Sequence, residues 1–197
     1  MNHKQDESKK RILEAAKVCF ANNGYDGTSV RQICEAADAN LALVSYYFGS
    51  KENLYYTVIE SLYLNNGHKL DKHEDIADPE EALRSFVDIF INLRKQDKQF
   101  NMILRHELST DSPRKQVISR IISPYFSYLK KILINGRENG VFHYESLDLV
   151  LMFIASILVY PAYDSFLIES SQALEKDSSL EIRHTADFIL AGLKFKQ

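Results

Sequence analysis

Apolar residues recur along most of this chain at the three- and four-residue spacing of helices, and the polar positions between them fall where helices would start and stop. Ile12, Ala16, Cys19 and Phe20 lie on one face of a first helix, for which Ser8 is the expected N-cap. Gly24 is the expected left-handed stop. Thr28 is the expected cap of a short second helix with Val30, Ile33, Cys34 and Ala37 on its apolar side. After a tight connection at Asp38-Ala39, Asn40 caps a third short helix from Leu41 to about Tyr47, and Gly49 breaks it. Ser50 caps a fourth, longer helix through Leu54, Val58 and Leu62 towards residue 70.

Residues 66–79 are polar and read as a loop that closes at Pro79, a residue suited to the first turn of a helix. The next helix carries Leu83, Phe86, Val87, Phe90 and Ile91. Another spans about Lys98 to Ser109. Pro113 opens a long one that ends near Gly140, with a kink or break expected at Pro124. Two more cover about Ser146–Glu169 and Ser178–Lys194, joined by a polar linker. The expected fold is all-α with about nine helices. It divides into an N-terminal domain over 6–66, with a helix-turn-helix at about 28–48, and a helical domain over 67–197.

Composition agrees with a folded helical chain: 45% hydrophobic and 26% charged residues, with only seven Gly and four Pro in 197 positions. The two cysteines, Cys19 and Cys34, read as reduced core residues, and the polar first ten residues carry no apolar leader core, so a cytoplasmic protein is expected. The apolar run Leu149 to Ala162, interrupted by Ser156, is shorter than the roughly 20 residues that cross a bilayer. It predicts a buried helix and no membrane partner. Net charge is −3, and residues 1–56 carry seven Lys/Arg against seven Asp/Glu. Charge alone therefore does not point to nucleic acid.

The spacing of the short helices does. Two helices joined by three or four residues make the unit in which the second helix enters the major groove while the first crosses the backbone. Ile33, Ala37, Val44 and Phe48 are the expected inner residues, with Ala36 and Ala37 small enough for close crossing. The segment resembles the TetR family of bacterial repressors. The resemblance rests on Gly24-Tyr25-Asp26-Gly27-Thr28 and on Tyr46-Tyr47-Phe48-Gly49-Ser50-Lys51-Glu52-Asn53-Leu54, within about residues 8–60. Asp38 stands where the family usually has Gly, and Tyr47 where His is frequent.

That resemblance implies a DNA-contacting set: Thr28, Ser29, Arg31, Asn40, Leu41, Ala42, Ser45, Tyr46, Tyr47 and Lys51. Thr28 and the following amides, the two Tyr hydroxyls and Lys51 would meet phosphates, and Arg31 a phosphate or a base. The third helix lacks Arg, Lys and Gln, so its readout would lean on thymine methyls (Leu41, Ala42) and polar base edges (Asn40, Ser45). Read without the motif, Arg31 and Lys51 are solvated charges, Thr28 a plain cap and Leu41 equally a core residue. Adjacent helical positions also predict that Tyr46 and Tyr47 do not both face inward.

The resemblance further implies a palindromic double-stranded operator and a small-molecule effector. It also implies a homodimer formed through the last two helices. Candidate effector-lining residues are Phe86, Phe90, Met102, Arg105, His106, Tyr125, Tyr128 and Tyr163, and a buried Arg105 would favour an anion. The other reading of the same motif is an effector-free DNA-binding protein that works through a protein partner or organises the chromosome. No enzyme, cofactor or metal site is expected. His106-Glu107-Leu108-Ser109-Thr110 begins like a helical zinc motif but has Thr at the second His position, and His68 and His73 are five apart in a polar loop.

Overall fold

The computed structural model describes residues 3–66, 77–159 and 178–195, with side chains described from residue 6 and not for 62–66. Nine helices lie within those residues: α1 (His3–Asn23), α2 (Val30–Ala37), α3 (Leu41–Phe48), α4 (Lys51–Asn66), α5 (Pro79–Gln96), α6 (Lys98–Ser109), α7 (Lys115–Glu138), α8 (Leu147–Val159) and α9 (Ser178–Lys194). No strand occurs among the described residues.

The chain forms two compact units. The first comprises Met1–Gly67 and Asp97–Ile121, and the second His68–Gln96 and Ile122–Gln197. Residues 97–121 thus lie in the same compact unit as the N-terminal helices. In the first unit α2, α4 and α6 all pack on α1. Its core is built from Ile12, Ala16 and Phe20 of α1, Ile33 of α2, Leu54, Val58 and Ile59 of α4, and Ile103 and Leu104 of α6, all buried. In the second unit α9 and α8 pack on α5. Leu83, Phe86 and Val87 of α5, Leu129, Ile132 and Leu133 of α7, Leu158 of α8 and Leu190 of α9 are buried there.

Most helix boundaries follow the punctuation in the sequence. Gly24, at φ 68°, ends α1, and its amide donates to the Phe20 carbonyl at 3.0 Å. Pro79 is the first residue of α5, as its locked φ and missing N–H favour. Three expectations are corrected. Ser8 does not cap α1, which starts at His3: the Lys, Gln and Glu of its opening stretch are good helix formers and carry the helix back past the serine. Pro113 stands two residues ahead of α7. Pro124 does not break α7, which is continuous from Lys115 to Glu138. Pro124 and Arg120, four residues before it, both lie on the exposed side of the helix, away from the packed core. The continuation expected to Glu169, and the loop and linker at 67–76 and 170–177, lie outside the described residues.

Candidate nucleic-acid interface

The helix-turn-helix is α2 and α3. Ile33 and Ala37 of α2 and Val44 and Phe48 of α3 are buried, so four apolar anchors fix both helices on the unit's core. Ala36, expected at the crossing, is exposed. The turn depends on Asp38, the only described non-glycine residue with positive φ (φ 47°, ψ 53°). The Asp38 and Ala39 amides close α2 by donating to Glu35 and Cys34 carbonyls at 3.4 and 3.0 Å. An Asp tolerates this left-handed position better than most residues, which is how the chain does without the glycine.

Each helix of the unit starts at a polar cap. Ser29, not Thr28, caps α2. Its hydroxyl accepts from the Gln32 amide at 3.2 Å, and the Gln32 side-chain oxygen accepts from the Ser29 amide at 2.7 Å, a complete capping box. Thr28 is corrected on this point. It is 2% exposed, and its hydroxyl lies between the carbonyls of Gly24 (2.8 Å) and Cys19 (3.0 Å), so it fastens the α1–α2 turn from inside. Any phosphate contact at Thr28 would have to use the backbone, because the hydroxyl faces inward. Asn40 caps α3 through Oδ1, which accepts from the Leu43 amide at 2.9 Å, and the Ser50 hydroxyl accepts from the Asn53 amide at 3.1 Å. The Asn40 cap leaves its side-chain NH2 as the group that can donate outward.

The buried positions of α3 leave a row of exposed ones: Leu41, Ala42, Ser45 and Tyr46. Leu41 is not core, and Tyr46 is 73% exposed. Tyr47 is half-buried, in an edge-to-face pair with Tyr46 at 5.2 Å. Arg31 points outward from α2, its side chain 89% exposed, and forms an i,i+4 pair with Glu35 at 3.0 Å. Such surface pairs contribute about half a kcal/mol or less, so a phosphate can recruit this cation at little cost. Lys51, at the start of α4, is held more closely. Its ammonium sits 4.1 Å from the centre of the Tyr25 ring, and burial lowers its pKa, with Asp26 opposing that shift and Arg114 adding to it.

Beneath this surface lies a charged network that sequence reasoning missed. Glu107 of α6 is 2% exposed. Its carboxylate accepts from the Tyr55 hydroxyl of α4 at 2.8 Å and from the Ser112 hydroxyl, and pairs with Arg114 Nε at 3.2 Å. Arg114 also reaches Asp26 at 3.2 Å and lies over the Tyr25 ring at 4.0 Å. A sequence cue existed. Phe100, Ile103, Leu104 and Glu107 fall on one helical face, so a carboxylate occupies the next position of an apolar stripe. The string that begins like a zinc motif is in fact this structural carboxylate. The second unit has an equivalent: Arg94, on the buried stripe of α5, pairs with Glu181 of α9 and donates to the Leu158 carbonyl at 2.8 Å.

The proposed effector residues divide between the units. Phe86, Phe90 and Tyr125 are buried in the second unit with half-buried Tyr128, in ring contacts of 6.0 to 6.3 Å. Met102, Arg105 and His106 belong to the first unit. Arg105 is exposed, which removes the argument for an anion drawn from its burial, and Met102 is exposed too. The His106 ring is engaged with the Ala21 carbonyl at 3.1 Å. Tyr163, and the His68 and His73 pair, lie outside the described residues. No group of three or more His, Cys, Asp or Glu placed to hold a metal occurs among the described residues. Cys19, half-buried, and Cys34, buried, are free thiols whose pKa burial raises. No described helix is long and apolar enough to cross a membrane.

Two short capped helices, with the second presenting an outward row on a fixed core, define a helix-turn-helix DNA-binding regulator. Comparison with known proteins gives the family. Residues 12–57 match the N-terminal model of the bacterial regulatory proteins of the tetR family, and residues 66–165 the C-terminal region of YsiA-like proteins. The chain belongs to the TetR family and is a DNA-binding transcriptional regulator. It is 30% identical to the transcriptional repressor NicS of Pseudomonas putida over 70% of this chain and 66% of that one. It is 29% identical to the probable regulator YttP of Bacillus subtilis over 78% and 76%. Among solved structures it resembles HlyIIR, a hemolysin II transcriptional regulator, at 30% identity and a TM-score of 0.78, covering 98% of this chain and 99% of that one.

Proposed function

We propose that this protein is a dimeric repressor that binds a palindromic operator and is released from it by a small-molecule effector. The observation that carries the DNA-docking part is the exposed row Leu41, Ala42, Ser45 and Tyr46 on a helix anchored by buried Val44 and Phe48 and capped by Asn40. With no Arg, Lys or Gln on α3, the row reads thymine methyls and groove shape more than guanine. Tyr46, Tyr47, Arg31, Lys51 and the first-turn amides of α2 anchor phosphates, since a helix N-terminus offers N–H groups without intrahelical partners. Repression is supported by the similarity to NicS, a transcriptional repressor. A bacterial regulator of this kind would work in the cytoplasm, on the nucleoid.

The dimer reading is supported by apolar side chains that are exposed among the described residues. Met152 and Phe153 of α8 and Phe188 of α9 are exposed, beside an apolar groove of about 1000 Å³ bounded by Ile154, Ile157, Ile189 and Leu193. A two-fold mate covering this face would complete a four-helix bundle and set two α3 helices about 34–36 Å apart. Phe86, Phe90, Tyr125 and Tyr128 are the best-supported effector-facing residues, since aromatic walls are what small-molecule sites favour. An effector would act by binding the DNA-free spacing more tightly than the DNA-bound one.

The test is selection of duplexes by the full chain from a random library. The expected product is a palindrome with half-sites one turn apart, bound by a dimer. Then metabolite screening by thermal shift should find one compound class that both stabilises the protein and releases that duplex. Recovery of no sequence preference would sink the reading.

A further inference from the structure

We infer that Arg114 is a positioning residue for DNA binding: by occupying the carboxylate of Asp26, it keeps Lys51 available to a phosphate. The inference rests on the DNA-docking reading above. Its starting point is that two cations share one small site. Lys51 Nζ and the Arg114 guanidinium both lie over the Tyr25 ring, at 4.1 and 4.0 Å from its centre. The adjacent residue is Asp26, whose carboxylate acts on both cations. In the structure Arg114 holds it, at 3.2 Å from Nη2 to Oδ2.

The other acid close to Lys51 in sequence is engaged elsewhere, since Glu52 accepts the Tyr56 hydroxyl at 2.8 Å. Asp26 is therefore the acid for which Lys51 and Arg114 compete. Arg114 suits its task because it is anchored from behind. Buried Glu107 takes Nε, and Tyr55 and Ser112 hold Glu107 in turn. A planar guanidinium can keep Glu107 on one edge and Asp26 on another, whereas an ammonium has no such fork. The Asp26 side chain is 82% exposed, so once Arg114 leaves it is free to turn towards Lys51.

Two arrangements follow. With Arg114 on Asp26, the carboxylate is neutralised and Lys51, resting on an aromatic face, can turn to a phosphate. With Arg114 withdrawn, Asp26 takes Lys51, and the ammonium is then no longer available to a phosphate. Arg114 immediately precedes α7, which runs unbroken from the first unit into residues of the second, so a shift of α7 along its axis would withdraw it. The α1–α2 turn would then report the state of α7 to the DNA surface through one shared acid.

The experiment uses the full chain and the duplex selected by the wild-type protein, with affinity measured by fluorescence anisotropy from 50 to 200 mM salt. Arg114→Gln is expected to lose about tenfold in affinity and about one unit of salt slope, as Lys51→Ala does, and adding Lys51→Ala to it should change little. Adding Asp26→Asn to Arg114→Gln should restore affinity and slope while the melting temperature stays low, because Glu107 is still unmatched. A purely structural Arg114 would show the opposite: no rescue of binding by Asp26→Asn. That result, or a wild-type slope in Arg114→Gln, overturns the inference. Should Arg114→Gln fail to fold, Asp26→Asn alone decides. It should bind as tightly as wild type or up to about threefold tighter at the full slope, and a loss of affinity refutes the competition. Failure of the wild-type chain to select any duplex would instead remove the docking reading and this inference together.

Discussion

Replacing Glu107 with Gln tests the buried network with almost no change of shape. Glu107 is 2% exposed and accepts from Tyr55, Ser112 and Arg114. Removing one partner of a buried ion pair costs about 3–5 kcal/mol, because the other charge stays buried without compensation. Arg114 keeps Asp26 and the Tyr25 ring, which argues for the lower end, about 3 kcal/mol. For a chain of this size each kcal/mol moves Tm by about 2–4 °C, so the expected drop is about 6–12 °C. Thermal melts at fixed protomer concentration measure it, since association would otherwise shift Tm. Tyr55→Phe, which deletes a single donor, should lose only about 1–2 kcal/mol. Replacing Glu107 and Arg114 together by Leu and Met should recover most of the loss, because no charge is then stranded. A Glu107→Gln protein within about 1 kcal/mol of wild type would refute the claim that this carboxylate neutralises a buried cation.

Gly136→Ala should destabilise the second unit by about 1–3 kcal/mol in urea titration despite alanine's better helix propensity. An added methyl would meet the buried Phe142 ring at 2.0 Å, and a neutral result would show that the ring moves aside freely. Burial and the Glu107 bond raise the Tyr55 pKa above its ordinary value of 10. That stabilisation is complete below pH 10 and fades as pH climbs past it, where the unfolded chain ionises first. Alkaline melts should therefore show a steeper loss in wild type than in Tyr55→Phe, though Tyr25, Tyr128 and Tyr144 are shifted the same way and keep some of it. Phe188→Glu should yield a monomer of 22.7 kDa by light scattering with weaker duplex binding, and an intact dimer would place the interface elsewhere.

Local chemistry made the short helices readable. Gly24, Asp38, Asn40, Gly49, Ser50 and Pro79 each act through their own backbone or a side chain reaching two or three residues along, so neighbours in sequence suffice to place them. The apolar faces were readable for the same reason. Thr28 and Ser29 show the limit. Both are good caps, and the choice fell to Ser29 because Thr28 is claimed by the Cys19 and Gly24 carbonyls across the α1–α2 turn. Partners far apart in sequence were not legible: Glu107 with Tyr55, Arg114 with Asp26 and Arg94 with Glu181 meet only after folding. The position of Arg105, which faces out while Glu107 faces in, likewise depends on which side of α6 packs on α1. The placement of 97–121 with the first unit has the same origin.

The most direct test of DNA docking through α2, α3 and the start of α4 is the affinity of Tyr46→Phe, Tyr47→Phe and Lys51→Ala combined, for the duplex that wild type selects. These changes remove two hydroxyls and one ammonium, of which Tyr46 is the most exposed, and leave the anchors Val44 and Phe48 in place. The account predicts a loss of about 100-fold with a shallower salt dependence and an unchanged helical fold. Unchanged affinity in a folded triple variant would contradict it.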